Sequence, residues 1–197
     1  MRRVLVPLAC AVFLPLSGCD TINGLFNSQP QITLDPGPIC PATGVLSDAA
    51  SVTKLRPGTS PAMTRAADIA FQALMSQAQL DCNYDRGANT LTVTVKFAIR
   101  ASRGPALTGA DPQLPFFVAI VDADNNVLVK NVYNSNPQMA GRPSATYTET
   151  ISNFPVPLAM DRRPSDYEVL TGFQLTPDEL AYNRLPRVLP TPQAAMR

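Results

Sequence analysis

The chain has 197 residues, with 16 Lys and Arg against 15 Asp and Glu, and it contains no His. A near-neutral balance without a basic run excludes the electrostatic footprint of a nucleic-acid binder and a polybasic membrane patch. The missing His excludes a Ser-His-Asp triad and a His-ligated zinc site.

Arg2 and Arg3 precede an apolar run over residues 4–16, interrupted by Pro7 and Pro15. The run is too short to span a bilayer, which takes about 20 apolar residues. It closes on Leu16-Ser17-Gly18-Cys19, and this motif resembles the lipobox of bacterial lipoprotein signal peptides. The resemblance implies that residues 1–18 are removed and that Cys19 becomes a lipidated N-terminus, because only its thiol accepts the diacylglyceryl thioether. Two or more acyl chains anchor stably, at about 0.8 kcal/mol per buried CH₂. The expected location is therefore a membrane-anchored lipoprotein facing the periplasm. Asp20 resembles an inner-membrane retention signal of enteric bacteria, a rule that varies between groups, so inner and outer membrane both stay open. Without the leader, 14 basic residues face 15 acidic ones.

Four cysteines are present. Cys10 leaves with the leader and Cys19 is committed to lipid. Cys40 and Cys82 remain as an even pair in an exported chain, which most simply form a disulfide. The competing reading, a redox or metal pair, lacks a CxxC spacing and any His.

Residues 19–39 read as a lipidated, flexible tether, punctuated by Pro30 and by Pro36-Gly37-Pro38. A weak alternation over 45–55 predicts a first strand with Leu46, Ala50 and Val52 on one side. Residues 66–82 fit a helix stripe through Ile69, Ala70, Ala73, Leu74 and Leu80. They also alternate as Ile69, Phe71, Ala73 and Met75, and then resume out of phase at Ala78, Leu80 and Cys82. A β-bulge produces such a one-residue slip, and the neighbouring segments are plainly strands, so we read one long bulged strand here.

A turn at 83–89 leads to the clearest pattern of the chain: Leu91, Val93, Val95, Phe97 and Ile99 on one face, Thr92, Thr94, Lys96 and Arg100 on the other. A long loop at 101–113 follows. Residues 114–121 are apolar on both faces, as in an interior strand, and Asp122 to Asn126 turn the chain into a strand at 127–133. A second long loop, 134–143, precedes a strand at 147–151, which Pro155 and Pro157 end or place at an edge. Tyr167, Val169, Thr171, Phe173 and Leu175 alternate again. Thr176-Pro177-Asp178-Glu179 then starts a helical turn through Ala181, and residues 185–197 form a Pro-rich tail.

About seven short strands predict an all-β fold, an immunoglobulin-like antiparallel β-sandwich over residues 40–184. Residues 115–122 (Pro-Phe-Phe-Val-Ala-Ile-Val-Asp) and 172–184 (Gly-Phe-Gln-Leu-Thr-Pro-Asp-Glu-Leu-Ala-Tyr-Asn-Arg) resemble stretches of small, functionally uncharacterised alphaproteobacterial envelope lipoproteins. That likeness implies a location and a fold, and carries no activity with it.

Candidate chemistry is sparse. A Ser-Lys centre would have to use Lys54, Lys96 or Lys130, none beside a nucleophile motif. Asp122, Asp124 and Asn126 imitate half a calcium loop, but Val127 and Tyr133 occupy the positions that need Gly and Glu. A turn accounts for the same residues. Glu149, Asp166 and Glu168 lie on or near strands that could be neighbours, as a glycosidase pair would need, although exposed strand acids are commonplace. Tyr182-Asn183-Arg184 is the favoured interaction segment, against the alternative of a turn packing the last strand. The functional expectation is a non-catalytic protein-interaction or assembly module, without metal or cofactor, meeting another envelope protein through a strand edge or its long loops. The alternative is a carrier or sensor of a small apolar or lipid ligand held between the sheets.

Overall fold

The computed structural model describes residues 40–186. The leader, Cys19, the tether over 20–39 and residues 187–197 of the tail lie outside them.

The central element is β5 (Thr90–Arg103), whose period-two pattern buries Leu91, Val93, Val95, Phe97, Ile99 and Ala101. Along one edge it pairs with β8 (Ser144–Val156). Along the other it meets first β4 (Gln79–Asp85) and then β3 (Ile69–Met75), which continues to β2 (Ser51–Leu55). These five strands make one sheet. The second sheet has the order β1 (Ala42–Val45), β9 (Tyr167–Phe173), β6 (Leu114–Asp122), β7 (Val127–Ser135). Only β1 and β9 run parallel.

The two sheets face each other across a shared core. Phe97 of one meets Phe116 of the other edge to face at 5.2 Å, and Phe116 stacks on Tyr133 at 5.5 Å. Each such large apolar side chain contributes roughly 1.5–3 kcal/mol on burial. The expected all-β sandwich is therefore present; the pairings establish the sandwich and do not establish an immunoglobulin strand order.

Residues 66–82 are strand after one short 3-10 turn, Ala66–Asp68, but as two strands, β3 and β4, with residues 76–78 between them in place of one long bulged strand. Met75 faces Ile99 and Gln79 faces Lys96, so the register against β5 slips by one residue between β3 and β4. The inward set changes from Phe71, Ala73 and Met75 to Ala78, Leu80, Cys82 and Tyr84.

Three further expectations need correction, and with 45–55 and 66–82 each split in two the described strands number nine and not about seven. The single strand over 45–55 is two strands in different sheets. Leu46 N–H still donates to Thr171 of β9, a 3-10 turn at Ser47–Ala49 redirects the chain, and the Ala50 carbonyl accepts from Met75 of the other sheet. Leu46 is consequently exposed while Val52 is buried. The strand at 147–151 extends to Ser144–Val156 and includes Pro155, as an edge strand permits. The C-terminal turn is a helix, α1 (Pro177–Asn183), with a capping box between Thr176 and Glu179.

The doubly apolar β6 is explained by cover on both faces. Leu114, Phe116, Val118 and Ile120 enter the core, while Phe117 and Ala119 pack beneath Ala49 and Leu175.

These registers give the sandwich two ends. At one, Ala42 faces Glu168, Asp122 faces Tyr167 and Leu91 faces Val156. There the Cys40–Cys82 disulfide, with a Cα–Cα distance of 5.7 Å, ties β1 to β4 across the sheets. At the other, Leu114 faces Ser135, Phe116 faces Phe173 and Ser102 faces Ser144. The long loops emerge there.

Candidate functional site

The loop end is built outward from β5. Its C-terminal residue Arg103 forms a paired bond with Asp111, Nε to Oδ1 at 2.6 Å and Nη2 to Oδ2 at 2.7 Å. That guanidinium holds the Asp111 carboxyl below the usual carboxylate range. Arg103 N–H donates to the Pro143 carbonyl, which brings the loop over 136–143 beside the loop over 104–113. Met139 anchors the second loop, being 1% exposed in the core. Gly104 is required where it stands, because a Cβ there would lie 2.2 Å from the Ile69 carbonyl oxygen. Both loops are therefore held to the sandwich while Thr108, Gly109, Gln138 and Arg142 stay accessible at their surface. The sequence marked both loops but not their bracing. Met139, an apolar residue inside a polar loop, was the available signal.

Just below this end, Ser135 joins the two edge strands. Its hydroxyl donates to Glu149 Oε1 at 2.6 Å and, having one proton, accepts from Tyr147 at 2.9 Å. Ser135 is buried, and burial pushes the Tyr147 phenol above its ordinary value.

The predicted segment Tyr182-Asn183-Arg184 is divided by the fold. Asn183 Nδ2 donates to the carbonyls of Asp48 and Ser51 at 2.8 and 2.7 Å, and Arg184 Nε bonds Asp48 Oδ2 at 2.8 Å. Both residues dock α1 against the sheet crossover. Tyr182 instead lines a cleft of about 240 Å³ with Lys54, Arg56 and Thr59. Lys54 closes onto the buried Glu179 at 2.6 Å.

The other candidate residues form no common centre, although Asp122 and Asp166 both line one groove. Lys96 pairs with Asp81 at 3.5 Å, Lys130 sits 4.5 Å above the Phe117 ring, and Lys54 is held by Glu179. Glu149 serves Ser135, Asp166 pairs with Arg163, and Glu168 stands on β9 opposite Ala42. Asp122 is the keystone of a turn: it accepts from the N–H groups of Asp124 and Asn126 and from Asn126 Nδ2. Those bonds, led by the one from Asn126, hold its carboxyl below the ordinary range. Among the described residues no three His, Cys, Asp or Glu side chains converge in a metal-holding group, and no helix is long and apolar enough to cross a membrane. Comparison with protein-family models, curated proteins and solved structures finds no match to this chain.

Proposed function

We propose that this chain is a cell-envelope lipoprotein, anchored through Cys19, whose sandwich is a non-catalytic interaction module for another envelope protein. The observation that carries the reading is the position of the braced loops over 104–113 and 136–143. They share one end of the sandwich, and the chain enters at the other. Loops on a rigid scaffold are the usual carriers of recognition, and bracing by Arg103, Asp111 and Met139 lowers the ordering cost on binding. The chain joins the sandwich at the opposite end, at Cys40, so the loop surface is not the point of attachment. The Cys40–Cys82 disulfide is in keeping with an oxidising compartment.

The test is site-specific photocrosslinking in intact cells, from Thr108 and Gln138 in the loops and from Thr148 on the outer face of β8. One envelope protein captured from both loop positions and not from Thr148 is the expected result. Adducts of equal yield from all three positions, or from none, exclude the loop surface. Metabolic acyl labelling that disappears in Cys19→Ala tests the anchor separately.

A further inference from the structure

The end of the sandwich where the chain enters carries a second surface. The turn from Ala159 to Arg162 is closed by a bond from Arg162 N–H to the Ala159 carbonyl, and it is pinned by Ala159 N–H donating to the Tyr167 hydroxyl at 2.8 Å. Met160 stands at its tip and is 96% exposed. Beside it, β7 carries a bulge: Ile120 faces Val129 and Val121 faces Val127, which leaves Leu128 as the extra residue. Leu128 is 41% exposed and Val127 61%. Leu128, Pro157, Ala159 and Tyr167 line a groove of about 540 Å³ whose wall also carries three carboxylates and Arg162. Exposed apolar side chains grouped on a pinned turn and a bulge mark a contact surface more than a chance exposure does.

The charges around this surface are the carboxylates of Asp122, Asp124, Asp161 and Asp166 against the guanidinium groups of Arg162 and Arg163, and exposed Asp161 is in no ion pair among the described residues. Arg162 lies 3.6 Å from Asp124, Arg163 lies 3.0 Å from Asp166, and Asp122 is held within its own turn. A surface with more carboxylates than cations does not attract an anionic partner, so contact here rests on the apolar side chains.

What lies opposite follows from where the chain outside the structure ends. Residues 1–39 lead into Cys40, and β1 then pairs Ala42 with Glu168, the neighbour of groove-lining Tyr167. Only residues 20–39 separate Cys19 from this end. We infer that the apolar tip formed by Met160, Leu128 and Val127 is a bilayer-contacting face, which rests its end of the sandwich on the membrane and directs the loop end away from it. The inference rests on the lipid-anchor reading above. It adds to that reading a fixed orientation of the domain in place of a free swing on the tether.

The chain contains no Trp, so Met160→Trp introduces a single fluorophore at the tip. Met63→Trp, at a position 77% exposed in the connection after β2 at the loop end, is the control. The mature chain is held on phosphatidylcholine and phosphatidylethanolamine vesicles through a hexahistidine tag and a nickel-chelating lipid at position 19. This makes the result independent of native acylation. The expected result for Met160→Trp is a blue-shifted indole emission, quenched by lipids brominated on their acyl chains and insensitive to salt. The indole of Met63→Trp should stay unshifted and unquenched. Equal behaviour of the two fluorophores overturns the face. Loss of quenching at high salt overturns the apolar contact. Acyl labelling of the native protein, present or absent at Cys19, decides the anchor and leaves the face to the fluorescence.

Discussion

Ser135 donates to Glu149 across 2.6 Å, and through that bond the edge of one sheet is tied to the edge of the other. Ser135→Ala removes the donor and leaves a part-buried carboxylate and the Tyr147 hydroxyl unmatched. The expected loss is about 1–3 kcal/mol, the cost of an unsatisfied polar group, read from urea unfolding. A change within about 0.5 kcal/mol, the spread of ordinary surface substitutions, means that the clasp does not hold the edges.

The disulfide between Cys40 and Cys82 spans a sequence separation of 42 residues and joins the sheets near the point where the chain enters. In the chain-entropy account its closure contributes roughly 4 kcal/mol. The Cys40→Ser, Cys82→Ser double variant therefore unfolds at markedly lower urea. An unchanged midpoint shows that the bond adds nothing the core does not already supply.

Gly172 lies where β9 passes under the crossover, and a Cβ there would meet the Ala49 Cβ at 2.8 Å and the Phe117 ring at 3.2 Å. Gly172→Ala overpacks this layer and is expected to cost about 1–3 kcal/mol. Gly44→Ala is the contrast, since its Cβ finds ordinary contacts at 3.5 Å and beyond. Thermal melts of the two variants should differ clearly; equal melting temperatures refute the crowding argument.

Asp111, Asp122 and Asp166 all titrate below the ordinary carboxylate value: Asp111 through the bond from Arg103, Asp122 through Asn126, and Asp166 through the backbone and side chain of Arg163. At neutral pH these groups are ionised in both states, and their stabilisation is present. As pH falls below the ordinary carboxylate value the unfolded chain takes up protons first, so stability is lost until the native carboxyls are protonated too. Asp111→Asn should flatten that acid limb in a plot of unfolding midpoint against pH. Tyr147 acts at the alkaline side. Burial raises its phenol, so the unfolded chain loses its proton first above about pH 10 and stability declines from there. A Tyr147→Phe variant with the same alkaline slope as the wild type rules this out.

What the sequence determined by itself is the set of properties that depend on nearest neighbours along the chain. The alternation from Leu91 to Ala101 dictates a strand with one buried face, and that strand became the spine of the five-stranded sheet. The change of phase between Met75 and Ala78 encodes the register slip, because period two leaves no other way to keep both halves facing the core. Thr176 and Glu179 announce the helix start through a local bond pair.

The tertiary structure decided what depends on residues far apart. The weak pattern over 45–55 contains no signal that Leu46 follows β9 while Val52 follows β3, because the partner strands and not the segment itself select the sheet. The length of β8 came from its pairing with β5, which carries the strand past the local preference of Pro155. Asn183 looked like an exposed polar residue until the crossover carbonyls at Asp48 and Ser51 came within reach of its amide. Met160 comes near Leu128 only through long-range packing, which sets Ala159 of its turn and Leu128 of the β7 bulge in the wall of one groove. Local pattern sets which elements form. Long-range pairing, which local sequence does not encode, sets which side chains meet and which end of the molecule they share.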